Sequence, residues 1–194
     1  MKNILRHRGR SQDTQQNRLA HPADRPNRNG AQDALTGVAD RKYFKKLVDQ
    51  MLLKEGAHGC LLILDVDRMK EINERFGQDT GDRVLQRVAA LLQENFRGCD
   101  RIGRLEEDEF ALWIAGLSAN HVDGIRRRIA LLNDRLMHMD DRMPVVTLSA
   151  GVAVGEAGED FKCLYRRAEE VLRRVKERGR CGCEIYHKTG GMEA

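Results

Sequence analysis

Aromatic residues and long apolar runs are both scarce in this chain of 194 residues. Phe, Trp and Tyr together make up 5% of the sequence, which is too few for the base-stacking platforms of single-stranded nucleic-acid binders. No apolar run approaches the roughly 18 residues that cross a bilayer, and no signal-peptide core is visible. We therefore expect no transmembrane segment and a cytoplasmic location.

Paired cysteines are also lacking. The five cysteines form no Cys-x-x-Cys motif, and their number is odd. This usage favours reduced thiols in a cytosolic chain over a disulfide framework or a zinc site. The cysteines are Cys60, Cys99, Cys163, Cys181 and Cys183.

Positive charge is concentrated at the N-terminus. Residues 1–32 hold seven Lys or Arg against two acids, which leaves 27 against 28 in residues 33–194 and a net charge of −1 there. The main part of the chain therefore has no basic footprint for nucleic acid, and we expect no DNA partner. We predict a disordered basic leader over 1–32, a folded domain over 33–188 and a flexible tail over 189–194.

Apolar periodicity and turn residues predict alternating helices and strands after the leader. Helices are predicted at about 40–54, 69–76, 80–95, 122–137 and 161–177. Strands are predicted at 60–66, 101–105, 110–114, 145–154 and 184–187. The order β-α-α-β-β-α-β indicates an α+β sandwich of the ferredoxin-like kind, in which helices flank one mainly antiparallel sheet.

Two groups of acids are candidates for a metal site. Four successive acids, Glu106 to Glu109, occupy the turn of the predicted hairpin. Carboxylates about 4 Å apart repel by ~1 kcal/mol per pair in water and by roughly four times that near a protein surface, so the turn needs either a cation or full solvation. Asp65 and Asp67 lie at the C-terminal end of the strand predicted at 60–66. We expect their side chains to point to opposite faces of the sheet, so that only one of them lines a given site.

Several spaced motifs carry a family resemblance. They are DALTG at 33–37, LDVDRMKEIN at 64–73, FGQDTGD at 76–82, TLSAGVA at 147–153 and KERGR at 176–180. In order, they resemble the motifs D-x-L-T-G, D-x-D-x-F-K-x-x-N, F-G-x-x-x-G-D, T-x-S-x-G-x-A and K-x-x-G-R of GGDEF domains, the diguanylate cyclase family, with Met69 in place of the aromatic residue. The resemblance extends from Asp33 to about Tyr186.

The resemblance implies a palm-like fold shared with nucleotide cyclases and a set of site residues. In the family, the 3′-hydroxyl of one GTP attacks the α-phosphate of a second GTP on another subunit, which implies a homodimer. The implied Mg²⁺ ligands, needed if GTP is bound, are Asp65, the Val66 carbonyl, Asp108 and Glu109. The implied substrate contacts are Asn73 and Asp82 to guanine, with Lys176 and Arg180, one turn apart at a helix end, to the terminal phosphates.

The signature hairpin departs from the family pattern G-G-[DE]-E-F, because this sequence reads Glu106-Glu107-Asp108-Glu109-Phe110. Glycine at a hairpin tip permits a positive φ and lets backbone N–H groups approach a phosphate. Two glutamates remove that freedom and add negative charge beside a triphosphate, at ~4 kcal/mol per pair near 4 Å before screening. We expect GTP cyclisation to be lost.

A second motif, Arg97-Gly98-Cys99-Asp100, resembles the family's R-x-x-D inhibitory motif, where Arg and Asp bind cyclic di-GMP. One of Arg126, Arg127 or Arg128 is expected to complete it, and the spacing leaves open which one. The leading prediction is a degenerate GGDEF domain that binds cyclic di-GMP and signals by dimerisation or through a protein partner, with input from a ligand or another chain rather than an attached sensor domain. The alternatives are a working diguanylate cyclase, a GTP-binding module without turnover, and an inert scaffold.

Overall fold

The structure, a computed structural model, describes residues 31–117, 123–138 and 143–187. The predicted tail and most of the predicted leader lie outside these residues. The described end of the leader touches the domain, since Gln32 forms an isolated β-bridge with Ala39.

Strands and helices alternate along the described chain, largely as the sequence predicts. The strands are β1 (Ala39–Asp40), β2 (His58–Val66), β3 (Arg101–Arg104), β4 (Glu109–Ala115), β5 (Leu148–Glu156) and β6 (Gly182–Ile185). The helices are α1 (Arg41–Leu52), α2 (Met69–Phe76), α3 (Gln78–Asn95), α4 (Asp123–Met137) and α5 (Phe161–Glu177). The predicted bounds of α2 and α5 are confirmed.

All six strands form one sheet in the order β1-β3-β4-β2-β5-β6. The β3–β4, β2–β4 and β2–β5 pairs are antiparallel, whereas β1–β3 and β5–β6 are parallel. This mixed α+β sheet flanked by helices confirms the predicted fold class.

Helices cover both faces of the sheet. Alternate residues of β2 point to opposite faces, so Leu62 packs in one apolar cluster with α2, α3 and α4, while Leu61 packs in another with α1 and α5. The close packing of α5 depends on Gly151 of β5, where an added Cβ would lie 2.0 Å from the Ala168 carbonyl oxygen. The depth of α5 on the sheet is therefore set by a glycine.

Some boundaries differ from the prediction. The helix predicted from residue 40 begins at Arg41, because the Asp40 side chain caps it by accepting a hydrogen bond from the Tyr43 N–H at 2.7 Å. Residues 39–40 instead form β1, which was not predicted. The last two strands begin at Leu148 and Gly182 rather than at 145 and 184.

Among the described residues, no helix combines the length and the apolar character that crossing a bilayer demands.

Candidate functional site

The acidic hairpin lies between β3 and β4. The ladder closes at Arg104 opposite Phe110, and the Leu105 N–H donates to the Glu109 carbonyl at 2.8 Å. Neither Glu106 nor Glu107 has a positive φ, since the only described non-glycine residues that do are Arg68, Arg180 and Cys181. The turn therefore closes without glycine and without a positive φ at either glutamate. The expected loss of close approach by a phosphate stays a prediction.

The two glutamates point in different directions. Glu106 forms an exposed ion pair with Arg41 at the start of α1. Glu107 instead lines a cavity of about 510 Å³ together with Asn73 and Asp108. Only the second glutamate thus lines the cavity that the resemblance assigns to the nucleotide.

An arginine that was not singled out in the sequence anchors the hairpin tip. The Arg104 guanidinium donates to the Glu107 carbonyl at 2.6 Å and to the Asp33 carboxylate at 3.0 Å. Asp33 also accepts hydrogen bonds from the backbone and the hydroxyl of Thr36. These hydrogen bonds explain why an Asp opens the 33–37 motif, because it ties the first turn of the domain to the hairpin.

The predicted metal ligands Asp65 and Glu109 lie directly opposite each other in the β2–β4 ladder. The Asp65 carboxylate contacts the Lys176 ammonium at 2.6 Å. Burial raises the pKa of Asp65 above its usual value, and Lys176 only partly opposes that shift. The Val66 N–H donates to the Asp108 carbonyl at 3.0 Å, which holds the hairpin beside the end of β2.

Glu109 is bound by a residue that the sequence reasoning missed. The Tyr165 hydroxyl on α5 lies 3.0 and 3.3 Å from its two carboxylate oxygens. Burial raises the pKa of Glu109 to about 7, although the Tyr165 hydrogen bond acts in the opposite direction. Burial together with the nearby Glu109 also raises the pKa of Tyr165. The sequence spacing could have indicated Tyr165 as a site residue, because it lies about three helical turns before Lys176 and therefore on the same side of α5.

Asp67 has a structural role and does not belong to the acidic centre, which we define as the neighbouring carboxylates Asp65 and Glu109. It accepts hydrogen bonds from Thr147 at 2.6 Å, from Ser149 at 2.7 Å and from the Cys181 N–H at 3.2 Å. The expectation that Asp65 and Asp67 point to opposite faces is wrong, because Asp67 bonds to the Ser149 side chain, which lies opposite Asp65 in the β2–β5 ladder and so shares its face. Asp67 is in fact near enough to raise the pKa of Asp65.

The predicted guanine contacts lie beside the cavity that Glu107 lines. The Asn73 Oδ1 atom is buried and has no hydrogen-bond partner among the described residues. Gly81 makes room for it, since an added Cβ would lie 1.8 Å from this oxygen. The Asp82 carboxylate accepts a hydrogen bond from the Gln78 side-chain amide at 3.2 Å. Gln78 rather than Asp82 lines the cavity.

The two predicted phosphate contacts both lie at the end of α5, but they line different cavities. The helix α5 ends at Glu177, and Arg180 follows in a turn with a φ of 68°, so Lys176 and Arg180 are not one helical turn apart. Arg180 lines a separate cavity of about 520 Å³ that also includes Arg68 and Arg75 of the α2 region. The structure thus brings Lys176, but not Arg180, to the acidic centre.

The R-x-x-D motif forms a compact turn. The buried Asp100 carboxylate accepts a hydrogen bond from the Arg97 N–H at 2.9 Å. Arg101 fixes the turn by donating to the carbonyls of the three preceding residues. Arg97 and Asp100 both line a cavity of about 460 Å³, which Phe96 also borders.

The three arginines of α4 have distinct surroundings. Arg128 stacks on the Phe96 ring, 5.1 Å from its centre, and so reaches the residue next to Arg97. Arg126 pairs with Asp123 at 3.6 Å, and Arg127 is exposed. Arg128 is the one of the three that contacts the R-x-x-D region.

The acidic residues do not form a ready divalent-metal cage. No group of three or more His, Cys, Asp or Glu side chains suited to a metal ion occurs within 31–117, 123–138 and 143–187. Of the three expected carboxylate ligands, Asp65 is occupied by an ammonium group and Glu109 by a hydroxyl, which leaves the Asp108 carboxylate without a partner among the described residues. In this arrangement the expected Mg²⁺ ligands do not fit the ion, because a hard cation needs several free oxygen ligands.

Comparison with known proteins identifies the family. The family model for the diguanylate cyclase GGDEF domain matches residues 30–181. The chain belongs to the GGDEF family. The family match places this GGDEF domain in cyclic di-GMP signalling.

Relatives of the GGDEF domain include whole signalling proteins. It is 29% identical over 161 residues to diguanylate cyclase DosC of Escherichia coli K12, a match that covers 79% of this chain and 35% of that protein. It is 29% identical over 157 residues to diguanylate cyclase DgcP of Pseudomonas aeruginosa, covering 79% and 23%. The chain therefore spans about a third or less of these relatives.

Solved GGDEF domains share the fold. The GGDEF domain of DgcB from Caulobacter crescentus, in complex with c-di-GMP, has a TM-score of 0.74 at 25% identity over 82% of this chain and 97% of that one. The active GGEEF domain of a diguanylate cyclase from Vibrio cholerae has a TM-score of 0.62 at 28% identity, over 77% and 95%. Diguanylate cyclase SiaD from Pseudomonas aeruginosa, in complex with its activator SiaC, has a TM-score of 0.73 at 27% identity, over 80% and 62%.

Proposed function

We propose that this GGDEF domain binds cyclic di-GMP through Arg97, Asp100 and Arg128 and does not cyclise GTP. Both nucleotides are cytoplasmic, so the proposal places the domain in the cytoplasm. The bound state would be passed on by homodimerisation or to a protein partner. That diguanylate cyclase SiaD forms a complex with its activator SiaC supports a protein partner as one route of signalling.

The position of Glu107 is the main support for the proposed loss of GTP cyclisation. Glu107 lines the cavity together with Asn73 and Asp108, and the cations Lys70 and Arg104 line it as well. Lys70 is paired with Glu74 and Arg104 with Asp33, so neither neutralises the Glu107 carboxylate, and a triphosphate in this cavity would bring its negative charge against that carboxylate. At ~4 kcal/mol for each unscreened like-charge pair near 4 Å, such a contact outweighs a typical hydrogen bond at about 1 kcal/mol.

The support for cyclic di-GMP binding is the geometry around the R-x-x-D turn. The Arg97 N–H fixes Asp100, and both residues line the cavity. Arg128 adds a second guanidinium close by, held on Phe96. Two neighbouring arginines suit a ligand with two phosphates, because guanidinium binds phosphate oxygens in a bidentate manner.

Calorimetry with cyclic di-GMP tests this assignment. We expect the wild-type domain to bind, and we expect Arg97→Ala and Arg128→Ala each to weaken the affinity at least tenfold. The neighbouring Arg127 is exposed on the same helix, so Arg127→Ala is the matched control and should change affinity less than threefold. Equal affinity in the wild type and Arg97→Ala would remove this site from the proposal.

A second candidate function is GTP binding without turnover. It is favoured by the buried Asn73 oxygen, which has no partner in the described part of the chain although its neighbour Gly81 leaves it room. A guanine N–H could satisfy this acceptor. Under this candidate, a non-hydrolysable GTP analogue should bind to the wild type and lose affinity in Asn73→Ala. Binding of the analogue with no dependence on Asn73 would contradict it.

A further inference from the structure

The acidic centre contains an internal cation. The Lys176 ammonium lies 2.6 Å from the Asp65 carboxylate, and the two side chains are only 35% and 13% exposed. A carboxylate this far removed from water needs a counter-charge, and a close ion pair supplies it. Lys176 therefore meets an electrostatic requirement that a bound metal ion would otherwise meet.

The neighbouring carboxylate is also occupied by α5. Glu109 lies opposite Asp65 in the β2–β4 ladder, and the Tyr165 hydroxyl is within hydrogen-bond distance of both of its oxygens. The Tyr165 ring is held by packing against Phe161, with 5.7 Å between ring centres. Helix α5 thus supplies one donor to each of two adjacent acids.

The position of α5 is fixed independently of these contacts. The helix packs on β5 at Gly151, where its backbone comes too close to admit a Cβ atom. Tyr165 and Lys176 are about three turns apart on this helix, so both face the sheet. The two donors are therefore delivered together by one rigid element.

We propose that Lys176 and Tyr165 replace a divalent cation at Asp65 and Glu109, so that this acidic centre binds neither Mg²⁺ nor Mn²⁺ on its own. The inference rests on the proposed non-cyclising function. It accounts for the retention of the acids in a domain that does not use them for catalysis, because they fasten the hairpin to α5.

Titration with Mn²⁺ in the absence of nucleotide tests the inference, with free Mn²⁺ followed by electron paramagnetic resonance and heat by calorimetry. We expect no single-site binding by the wild type up to millimolar Mn²⁺. The double variant Lys176→Met with Tyr165→Phe should gain one site with an affinity at least tenfold higher. Lys162→Met is the matched control, since Lys162 is exposed on the same helix, and it should behave as the wild type.

Two further variants locate the effect. Lys176→Arg keeps the positive charge and should bind Mn²⁺ no better than the wild type. Adding Asp65→Asn to the double variant should abolish the gained site. Single-site binding by the wild type, or no gain in a double variant that circular dichroism shows to be folded, would overturn the inference. These outcomes are separate from the proposed function, which depends on nucleotide binding and product formation.

Discussion

Replacing Glu107 with glutamine removes one negative charge from the nucleotide cavity and leaves its shape nearly unchanged. Glu107 lines this cavity with Asn73 and Asp108, and it holds the hairpin only through its backbone carbonyl, which accepts a hydrogen bond from Arg104. The substitution therefore changes the electrostatics without disturbing the fold. Glu106→Gln is the matched control, because Glu106 pairs with Arg41 outside the cavity.

The expected effect follows from the charge. A like-charge pair near 4 Å costs ~4 kcal/mol at a surface-like dielectric, and salt and solvent exposure reduce this figure. If about 1.4 kcal/mol of this repulsion remains after screening, its removal in Glu107→Gln corresponds to tenfold tighter binding of the GTP analogue. Glu106→Gln should change the affinity by less than threefold, since an exposed ion pair contributes only about 0–1 kcal/mol.

Calorimetric titration of a non-hydrolysable GTP analogue measures these affinities. Glu107→Gln should bind at least tenfold more tightly than the wild type at low salt, and the difference should shrink at high salt as the charges are screened. Equal affinity in the wild type and Glu107→Gln, or a larger gain from Glu106→Gln, would refute the assignment of Glu107 as the repelling residue.

Three further predictions concern stability, each measured by urea unfolding. Gly151→Ala should lower the free energy of unfolding by at least about 2 kcal/mol, since its Cβ would overlap the Ala168 carbonyl and force α5 outward; an unchanged midpoint would contradict the packing account. Ser149→Ala should cost about 1–3 kcal/mol, because it removes one of the three donors to the buried Asp67 carboxylate. The raised pKa of Glu109, about 7 in the folded protein against an ordinary value of 4.5, means that the folded state retains a proton that the unfolded chain releases. Stability should therefore fall as the pH rises from about 4.5 to about 7, by up to about 2 kcal/mol, and Glu109→Gln should flatten this dependence.

Much of the fold follows from local patterns in the sequence. The periodic apolar face and the glycine at position 77 give the bounds of α2, and the strong amphipathic pattern gives those of α5. The short strand β1 was not predictable in this way, because its two residues owe their conformation to parallel pairing with β3. The start of β5 was misplaced since Val145, although β-branched, is 71% exposed and lies outside the sheet.

The site was predicted less completely than the fold. The motifs identify Asp65, Glu109 and Lys176, which the structure brings together. Tyr165, the partner of Glu109, and Arg41, the partner of Glu106, were missed, because the sequence does not show which strand residues a helix side chain will contact. The helical spacing expected for Lys176 and Arg180 was wrong, since α5 ends at Glu177, whereas their shared role in phosphate binding stays a prediction.

The sequence motif does not distinguish Glu106 from Glu107, whereas the structure gives them different surroundings. Closing the turn does not require glycine, since neither Glu106 nor Glu107 has a positive φ, whereas the effect of the two glutamates on phosphate approach stays a prediction. The argument from charge holds as a proposal for Glu107 alone, because Glu106 is paired with Arg41. Local backbone geometry and the direction of a side chain are decided by the surrounding structure and are not encoded in the motif.

We propose that this GGDEF domain binds cyclic di-GMP without making it. Incubation of the purified domain with GTP and Mg²⁺, followed by chromatographic separation of the nucleotides, measures this most directly. The account predicts that GTP persists and that no cyclic di-GMP appears at domain concentrations that favour dimers. Accumulation of cyclic di-GMP from GTP, and its loss when Asp108 is replaced by asparagine, would contradict it.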